Sequence, residues 1–267
     1  MVATSRPTAA VHAIAKQGFV NGSFYDKARP SFPVEALAHL IPSSLDRTSS
    51  HVLEIGSGTG KFTALLASVF DGDRLTTVEP VAGMRAAFAA NFPAIPCVDG
   101  TAEHLPLADA SHDAIYLAQT FHWCDNVEAL TEMARVLRPR GVLGLVWNME
   151  DDRTPWVAAL RAIYQRFDGV APQYRSGKWE AIFRDQTIFD YPLQHVQIER
   201  HVPVDGIDQI WHRVLSKSYV QSLSTDAIED LKAEVYAILD TATFDRDADG
   251  KILYPYVTDA YVTTKSA

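Results

Sequence analysis

Residues 52–60 read Val-Leu-Glu-Ile-Gly-Ser-Gly-Thr-Gly, and this stretch decides the fold. A short apolar run meets a carboxylate and opens into a loop with glycine at every second position. A helix is predicted to follow from Lys61 to Phe70. Strand, glycine loop and helix in this order form the first unit of a nucleotide-type α/β domain. Because glycine has no side chain, the loop amides and the helix N-terminus are predicted to contact a ligand directly.

The spacing of the glycines distinguishes between ligands. A dinucleotide loop reads G-x-G-x-x-G or G-x-G-x-x-A. Here Lys61 occupies the last position and Gly60 comes one residue early, which argues against an NAD-binding oxidoreductase. The G-x-x-x-x-G-K-S/T pattern of a phosphate loop is absent. The spacing Glu54-x-Gly56-x-Gly58-x-Gly60 instead resembles motif I of the class I S-adenosylmethionine-dependent methyltransferases, in the methyltransferase type 11 superfamily. The carboxylate suits a ligand with an ammonium and a sulfonium, whereas it would repel a pyrophosphate.

Further segments agree with this resemblance, which extends from about Tyr25 to Trp147. The second predicted strand, Arg74 to Val78, ends in Glu79, an acid that is expected to accept both ribose hydroxyls. The third strand, Ile95 to Val98, leads into residues 99–107, which resemble the family's G-D-A-E-x-L-P segment at the adenine pocket.

One position departs from the family pattern. Thr101 stands where the family usually has Asp, so adenine N6 is expected to bond to Thr101, to a backbone carbonyl or to water. Met84 is expected to cover one face of the adenine. Residues 112–118 are predicted as the fourth strand, and residues 135–143 match the family's helix end, turn and fifth strand. The resemblance implies S-adenosylmethionine as cofactor, with S-adenosylhomocysteine as product, bound by Tyr25, Arg29, Glu54, Gly56, Ser57, Gly58, Gly60, Glu79, Pro80, Met84, Thr101, Ala102, Glu103 and Gln119.

The chain divides into four predicted segments. Residues 1–22 are expected to form a mobile N-terminal lead and residues 23–150 the cofactor-binding α/β core. Residues 151–185 are expected to form a helical cap over the acceptor pocket, and residues 186–267 the C-terminal part of the sheet with two further helices. The expected fold is a Rossmann-like, seven-stranded, mostly parallel sheet with helices on both faces and the cap inserted after strand 5.

The apolar pattern also predicts the C-terminal elements. A sixth strand is predicted over Tyr191 to Val204, helices over Ile207 to Val220 and Thr225 to Leu239, and a last strand over Ile252 to Thr264. The resemblance implies that the last strand inserts antiparallel beside the sixth.

Composition limits the class of protein. A chain of 267 residues with 47% apolar residues suffices for one α/β domain with an insertion. It has no run of 18 apolar residues that would span a membrane, and its first 16 residues lack the pattern of a secretory signal. Two cysteines, Cys97 and Cys124, fit a reducing compartment, and we expect a cytoplasmic location.

The net charge of −9, without a Lys/Arg cluster, disfavours a nucleic-acid substrate. The expected partner is a small-molecule acceptor, and the expected state is a monomer or weak dimer. Residues 245–250 copy the first half of an EF-hand loop, but Tyr256 stands where calcium needs a bidentate Glu. No metal is expected.

His122 is the candidate catalytic residue. It lies in the segment Gln119 to Cys124, at the carboxyl end of the fourth strand, where ligands of open α/β sheets bind. The segment resembles the A-x-H-W segment of a fungal small-molecule branch that includes trans-aconitate methyltransferases and natural-product thiol methyltransferases. The sequence leaves three roles open for His122. It is a general base for a hydroxyl or amine acceptor, it lines the pocket, or it caps a turn while Trp123 fills the core.

Tyr25 and Arg29 lie in a Y-x-x-x-R-P segment that also resembles this branch. Arg29 is predicted to pair with a carboxylate of the cofactor or of an acidic substrate, or else to anchor the start of a helix. The expected substrate pocket contains aromatic residues, which helical spacing also places in a core. Its members are Phe121, His122, Trp123, Trp147, Trp156, Tyr174, Trp179 and Trp211.

The sequence therefore predicts methyl transfer from S-adenosylmethionine to an oxygen or sulfur of a small organic acceptor, such as a secondary metabolite. An acid would need a cationic partner such as Arg29 and no base, whereas a phenol or thiol would need His122 or solvent. The alternatives are a methyltransferase acting on protein or RNA and a non-catalytic S-adenosylmethionine-binding protein.

Overall fold

The computed structural model describes residues 24, 26, 28–169 and 171–266. Two predictions lie outside the described residues: the N-terminal lead over residues 1–22 and the candidate cofactor-binding residue Tyr25. Within the described chain, seven strands form one sheet in the order β3-β2-β1-β4-β5-β7-β6. The strands are β1 Val52–Ile55, β2 Leu75–Val78, β3 Cys97–Val98, β4 His112–Ala118, β5 Leu137–Glu150, β6 Gln194–Val204 and β7 Ile252–Thr264.

The sheet confirms the predicted fold class. Strands β1 to β5 pair in parallel, whereas β7 lies between β5 and β6 and runs antiparallel to both. Strand β7 begins at Ile252 and ends at Thr264, as predicted. Strand β5 is longer than predicted because Leu137 already pairs with His112, before a shift of register.

Helices surround the sheet. In the described chain the α-helices are α1 Val34–Leu40, α2 Thr63–Leu66, α3 Ala82–Asn91, α4 Val127–Val136, α5 Pro155–Gln165, α6 Lys178–Arg184, α7 Ile207–Leu215, α8 Ser218–Gln221 and α9 Thr225–Thr241. None of these described helices combines the length and the apolar character that a membrane span requires.

The central strands β1, β4 and β5 bury both of their faces, as parallel strands do. Neighbouring residues point to opposite faces, so Leu53 packs with α4 in one cluster and Val52 packs with α1 in another. Tyr116 belongs to the same cluster as Val52, and its hydroxyl donates to the carbonyl of Leu40 at 3.2 Å. This double burial holds the carboxyl ends of β1, β4 and β5 at one edge of the sheet.

A third apolar cluster lies at the end of the sheet. It joins α5, α7, α8 and α9 to the first half of β7. Helices α5 and α6 follow β5 as predicted, but they do not pack as one unit. Helix α5 contributes Trp156 and Leu160 to the third cluster, whereas α6 contributes Trp179 and Phe183 to the cluster of α4.

Two predicted helices are shorter than expected. The helix predicted from Lys61 to Phe70 is regular only over α2, because Ser68 and Val69 donate to carbonyls three residues earlier and tighten the last turn. The helix predicted over Ile207 to Val220 divides into α7 and α8. The backbone of Lys217 is extended at this break, and its side chain points to Glu150.

Candidate active site

A cleft opens at the carboxyl ends of β1, β4 and β5. The empty space within it, including its opening to solvent, is about 490 Å³. It is the place where open α/β sheets bind their ligands. The lining combines the glycine loop with residues that precede α1, lie at or just after the ends of β1, β4 and β5, and lie on α7. They are Arg29, Pro30, Phe32, Glu54, Gly56, Ser57, Gly58, Thr59, Lys61, Phe62, Ala118, Gln119, Asn148 and Arg213.

The glycine loop needs its glycines. Gly56, Gly58 and Gly60 all have positive φ, a conformation that side chains disfavour. A Cβ at Gly56 would collide with the side chain of Thr120, whereas a Cβ at Gly58 would meet no heavy atom within 4 Å. Gly58 therefore borders open space in the cleft, and a side chain there would take room from a ligand.

The loop amides do not form the predicted ligand cradle. The amide of Gly56 donates to the carbonyl of Val78 at 2.7 Å, and that of Gly60 to the carbonyl of Ser57 at 2.9 Å. The amide of Gly58 donates to Glu79 Oε2 at 3.0 Å. These three amides bond within the protein, to Val78 and Glu79 at the end of β2 and to Ser57 in the loop itself, rather than pointing together at a ligand. A pyrophosphate would need such amides free.

Glu54 lies at the end of β1 and is only 1% exposed. Thr63 Oγ1 donates to its Oε2 at 2.5 Å. Burial raises the pKa of Glu54 to about 8, against the opposing effect of the Thr63 hydrogen bond. Without a ligand this carboxyl is therefore protonated at neutral pH, and a cation in the cleft would favour its ionised form.

Arg29 lines the same cleft. Its Nε donates to Ser216 Oγ and its Nη2 to the Ser216 carbonyl, both at 2.8 Å. These bonds join the segment before α1 to the end of α7, so part of the predicted anchoring role is present, although its partner is distant in the chain. A buried acid and a guanidinium thus line one cleft.

The predicted ribose and adenine residues lie around the end of β2 and the segment after β3. Glu79 is buried, and its Oε1 accepts from the amide of Val81 at 2.8 Å. Burial raises its pKa. Met84 and Ala102 are buried, and Pro80 is half-buried. Asn126 Nδ2 donates to Glu103 Oε1 at 2.9 Å.

Thr101 retains bonding capacity. Its Oγ1 is buried and has no hydrogen-bond partner among the described residues. A buried polar atom without a partner is destabilising unless a ligand or water satisfies it. Thr101 is therefore suited to contact a polar ligand atom.

Gln119 follows β4 with φ +54 and lines the cleft. Its Nε2 donates to the carbonyl of Asn148 at 2.7 Å. Asn148 is held in turn by Thr258, whose Oγ1 donates to Asn148 Oδ1 at 2.7 Å. This chain of bonds fixes the floor of the cleft between β4, β5 and β7.

The structure argues against His122 as a general base. Trp147 Nε1 donates to His122 Nδ1 at 3.0 Å, so the proton of a neutral His122 is on Nε2. A ring in this tautomer has no lone pair for the proton of an acceptor. Burial, reinforced by the charge of Arg29, also lowers the pKa of His122 to about 3. His122 is a neutral hydrogen-bond donor.

The predicted aromatic pocket is not assembled. Trp147 stacks on Tyr174 with ring centroids 4.4 Å apart, and it packs on Trp179 at 4.7 Å. Phe121 packs edge-on against Trp179 in the same core cluster. Trp156 and Trp211 lie instead in the third cluster, against which Trp123 packs. These side chains fill two separate cores because α5 and α7 pack in the cluster at the end of the sheet, whereas α6 packs in the cluster of α4.

Sequence reasoning missed a buried charge network beside the cleft. Glu150 ends β5 at 1% exposure, and its Oε1 lies 2.7 Å from Arg213 Nη2 and 3.0 Å from Lys217 Nζ. Burial alone would raise the pKa of Glu150, but these two cations hold that pKa below its usual value. Two signals pointed to this network: an acid at the end of a central strand, and two cations four residues apart.

Comparison with known proteins gives a consistent result. Residues 53–145 match the family described as "Methyltransferase domain". An uncharacterized methyltransferase-like protein of Schizosaccharomyces pombe is 32% identical over 241 residues, which cover 90% of this chain and 92% of that protein. A malonyl-[acyl-carrier protein] O-methyltransferase of Methylococcus capsulatus is 34% identical over 124 residues, which cover 45% of this chain and 44% of the relative.

Solved structures show the same fold. The phosphoethanolamine N-methyltransferase 2 of Haemonchus contortus, in complex with phosphomonomethylethanolamine and S-adenosylhomocysteine, matches with a TM-score of 0.55 at 14% identity. The match covers 97% of this chain and 61% of that chain.

Proposed function

This chain belongs to the class I S-adenosylmethionine-dependent methyltransferases, and from that premise we propose that it methylates an oxygen or sulfur of a small organic acceptor. The observation that carries the proposal is that one cleft is lined by both an acidic group, the carboxyl of Glu54, and a basic group, the guanidinium of Arg29. Glu54 suits the ammonium of the cofactor's methionine moiety, and Arg29 suits its carboxylate. An amino-acid zwitterion presents both groups, whereas a dinucleotide presents neither.

The remaining cofactor residues fit the same ligand. Thr101 has an unsatisfied buried oxygen for the adenine amino group, and the buried Glu79 has lone pairs left for ribose hydroxyls. Gly56, Ser57 and Gly60 shape the loop, and Gly58 leaves the space open. The amides of Gly56, Gly58 and Gly60 already bond within the protein, which favours a ligand that does not need them for a phosphate.

When bound, the cofactor supplies an activated methyl group whose bond to sulfur breaks as the new bond to the acceptor forms. The protein's part is positioning and desolvation, which suffice for much of the rate when the leaving group is good. Gln119 and Asn148 fix the floor of the cleft, and the neutral His122 holds its Nε2 proton as a donor. The proton of a hydroxyl or thiol acceptor is proposed to go to solvent, because His122 Nδ1 already accepts a hydrogen bond from Trp147.

The acceptor is proposed to be small. The Methylococcus relative is by its name an O-methyltransferase, which favours oxygen over sulfur. The net charge of −9 gives no basic footprint for RNA. Cys97 and Cys124 are both free thiols, which supports a reducing compartment such as the cytoplasm.

The test is calorimetric titration with S-adenosylmethionine and S-adenosylhomocysteine, with NAD as a control. Binding of the first two ligands alone is the expected result, followed by methylation of members of a panel of carboxylic acids, phenols and thiols. Absence of binding, or equal binding of NAD, would overturn the cofactor assignment. Cofactor binding without any methylated product across the panel would favour the non-catalytic alternative.

A further inference from the structure

A second cavity adjoins the cofactor cleft. It is a groove between β6, the first half of β7 and α7, with about 1300 Å³ of empty space that includes its opening to solvent. Its walls are largely apolar or aromatic and include Phe24, Val202, Val204, Tyr254 and Tyr256. Arg29, Pro30 and Arg213 line both the groove and the cleft. A molecule in the groove therefore lies beside the cofactor site.

Arg213 stands at the junction of the two cavities and has donor capacity left. The residue is only 4% exposed, and its Nη2 pairs with Glu150. Its Nε donates to Tyr256 Oη at 3.1 Å, while Nη1 has only a long contact of 3.5 Å with Ser216 Oγ. Since a guanidinium carries five N–H donors, Arg213 can donate to a further acceptor at the cavity junction.

A second, independent observation marks the same groove. The hydroxyl of Tyr254 is buried and has no hydrogen-bond partner among the described residues, although the residue lines the groove. Burial raises the pKa of Tyr254 well above its ordinary value, so the hydroxyl keeps its proton and can donate. Leaving such a group without a partner is costly, and a ligand oxygen would satisfy it.

The charges around the groove favour a single negative charge. The guanidiniums of Arg29 and Arg213 line the groove, and Arg213 shares the buried carboxylate of Glu150 with Lys217, whose pKa burial and the charge of Arg213 hold well below its usual value. Asp208 also lines the groove and is exposed, so a polyanion would meet repulsion there. A planar carboxylate matches the fork of a guanidinium, and an apolar body matches the walls.

We infer that Arg213 and the Tyr254 hydroxyl bind a carboxylate of the acceptor, whose apolar body occupies the groove. This inference rests on the proposed function, because it makes the groove the acceptor site of the same enzyme. It assigns recognition to Arg213 and Tyr254, which lie outside every family motif in the sequence.

The first experiment measures binding to the protein saturated with S-adenosylhomocysteine. The probes are octanoate and phenylacetate, each compared with its primary amide, which has a similar shape but no charge. We expect both acids to bind at least tenfold more tightly than their amides, because hydrogen bonds to charged groups are the stronger ones. Equal affinities, or no binding of either acid at millimolar concentration, would overturn the inference.

The decisive variant is Tyr254→Phe. It removes a hydroxyl that bonds to no described residue, so the fold is expected to be retained. Affinity for the acids should fall severalfold, while affinity for S-adenosylhomocysteine should stay unchanged. Tyr219→Phe is the matched control, because Tyr219 lies in the same cluster but does not line the groove. If both variants bind the acids as the wild type does, Tyr254 has no role in recognition and the inference is wrong.

Arg213→Lys tests the guanidinium. It keeps a positive charge beside Glu150 but loses the planar fork, and we expect acid affinity to fall roughly tenfold. Val202→Trp is a second test of the groove that leaves the charge network intact. The larger side chain should fill the groove and block binding of the acids. Failure of S-adenosylhomocysteine to bind the wild type would refute the proposed function, whereas failure of the acids alone would refute only this inference.

Discussion

Glu54→Gln tests whether the buried carboxyl of the cofactor cleft becomes charged only when a cation binds. The pKa of Glu54 is raised from 4.5 to about 8 in the folded protein. The folded state therefore holds the proton more tightly than the unfolded state. Stability is highest below pH 4.5 and falls as the pH rises through 8.

The size of the effect follows from the shift. At high pH the ionised, buried Glu54 costs about 5 kcal/mol of unfolding free energy, of which about 2 kcal/mol appears between pH 6 and pH 8. Glutamine has the same shape and does not titrate. The variant without ligand should therefore gain about 2 kcal/mol over the wild type across this interval, measured by urea unfolding at each pH.

Cofactor binding should change in the opposite direction. In the wild type at pH 7, S-adenosylhomocysteine binding should release about one proton, and affinity should rise about tenfold from pH 6 to pH 7. Calorimetry in buffers of different ionisation enthalpy measures both quantities. Glu54→Gln should show no such release, a flat affinity over this interval and weaker binding by roughly tenfold or more. A wild-type complex that forms without proton release, or a variant with unchanged affinity, would refute the reasoning.

Three other outcomes are expected. Gly58→Ala should lower the unfolding free energy by only about 1–2 kcal/mol, the strain of a side chain at φ +57, but it should weaken cofactor binding. Unchanged affinity in calorimetry would mean that the ligand does not approach the loop. Because the pKa of His122 is about 3, the pH profile of the maximal rate should show no titration near pH 6.5. His122→Ala should lower that rate by the same factor at every pH. A change of rate near neutral pH in the wild type that disappears in the variant would show that His122 is a general base. Glu150→Gln should destabilise by about 3–5 kcal/mol in denaturant unfolding, because Arg213 loses its buried counter-charge; a loss below about 1 kcal/mol would show that the network is solvated.

The sheet was predictable because its signals are local. Apolar runs and glycine spacing located β1 and β4, and the bounds of β7 agreed at both ends. The length of the helix after the glycine loop was overestimated, since Ser68 and Val69 donate to carbonyls three residues back. Apolar periodicity does not distinguish a full helix from such tightened turns.

The candidate site was predictable only in its cofactor half. Glu54, Gly58 and Gln119 come to one cleft because each lies next to the carboxyl end of a parallel strand. The predicted aromatic residues do not form one pocket. Periodicity shows that a side chain is buried, but it does not show which neighbour the side chain packs against. Trp156 and Trp179 are 23 positions apart and belong to different clusters.

The sequence by itself determined the class of fold, the position of the cofactor loop and the family, because these depend on spacing within short segments. Only the tertiary structure decided the state of each group. Trp147 determines the tautomer of His122, and burial raises the pKa of Glu54. Arg213 reaches the junction of two cavities because α7 packs beside β7. Protonation and recognition depend on which atoms meet across long chain separations, and spacing along the chain does not contain that information.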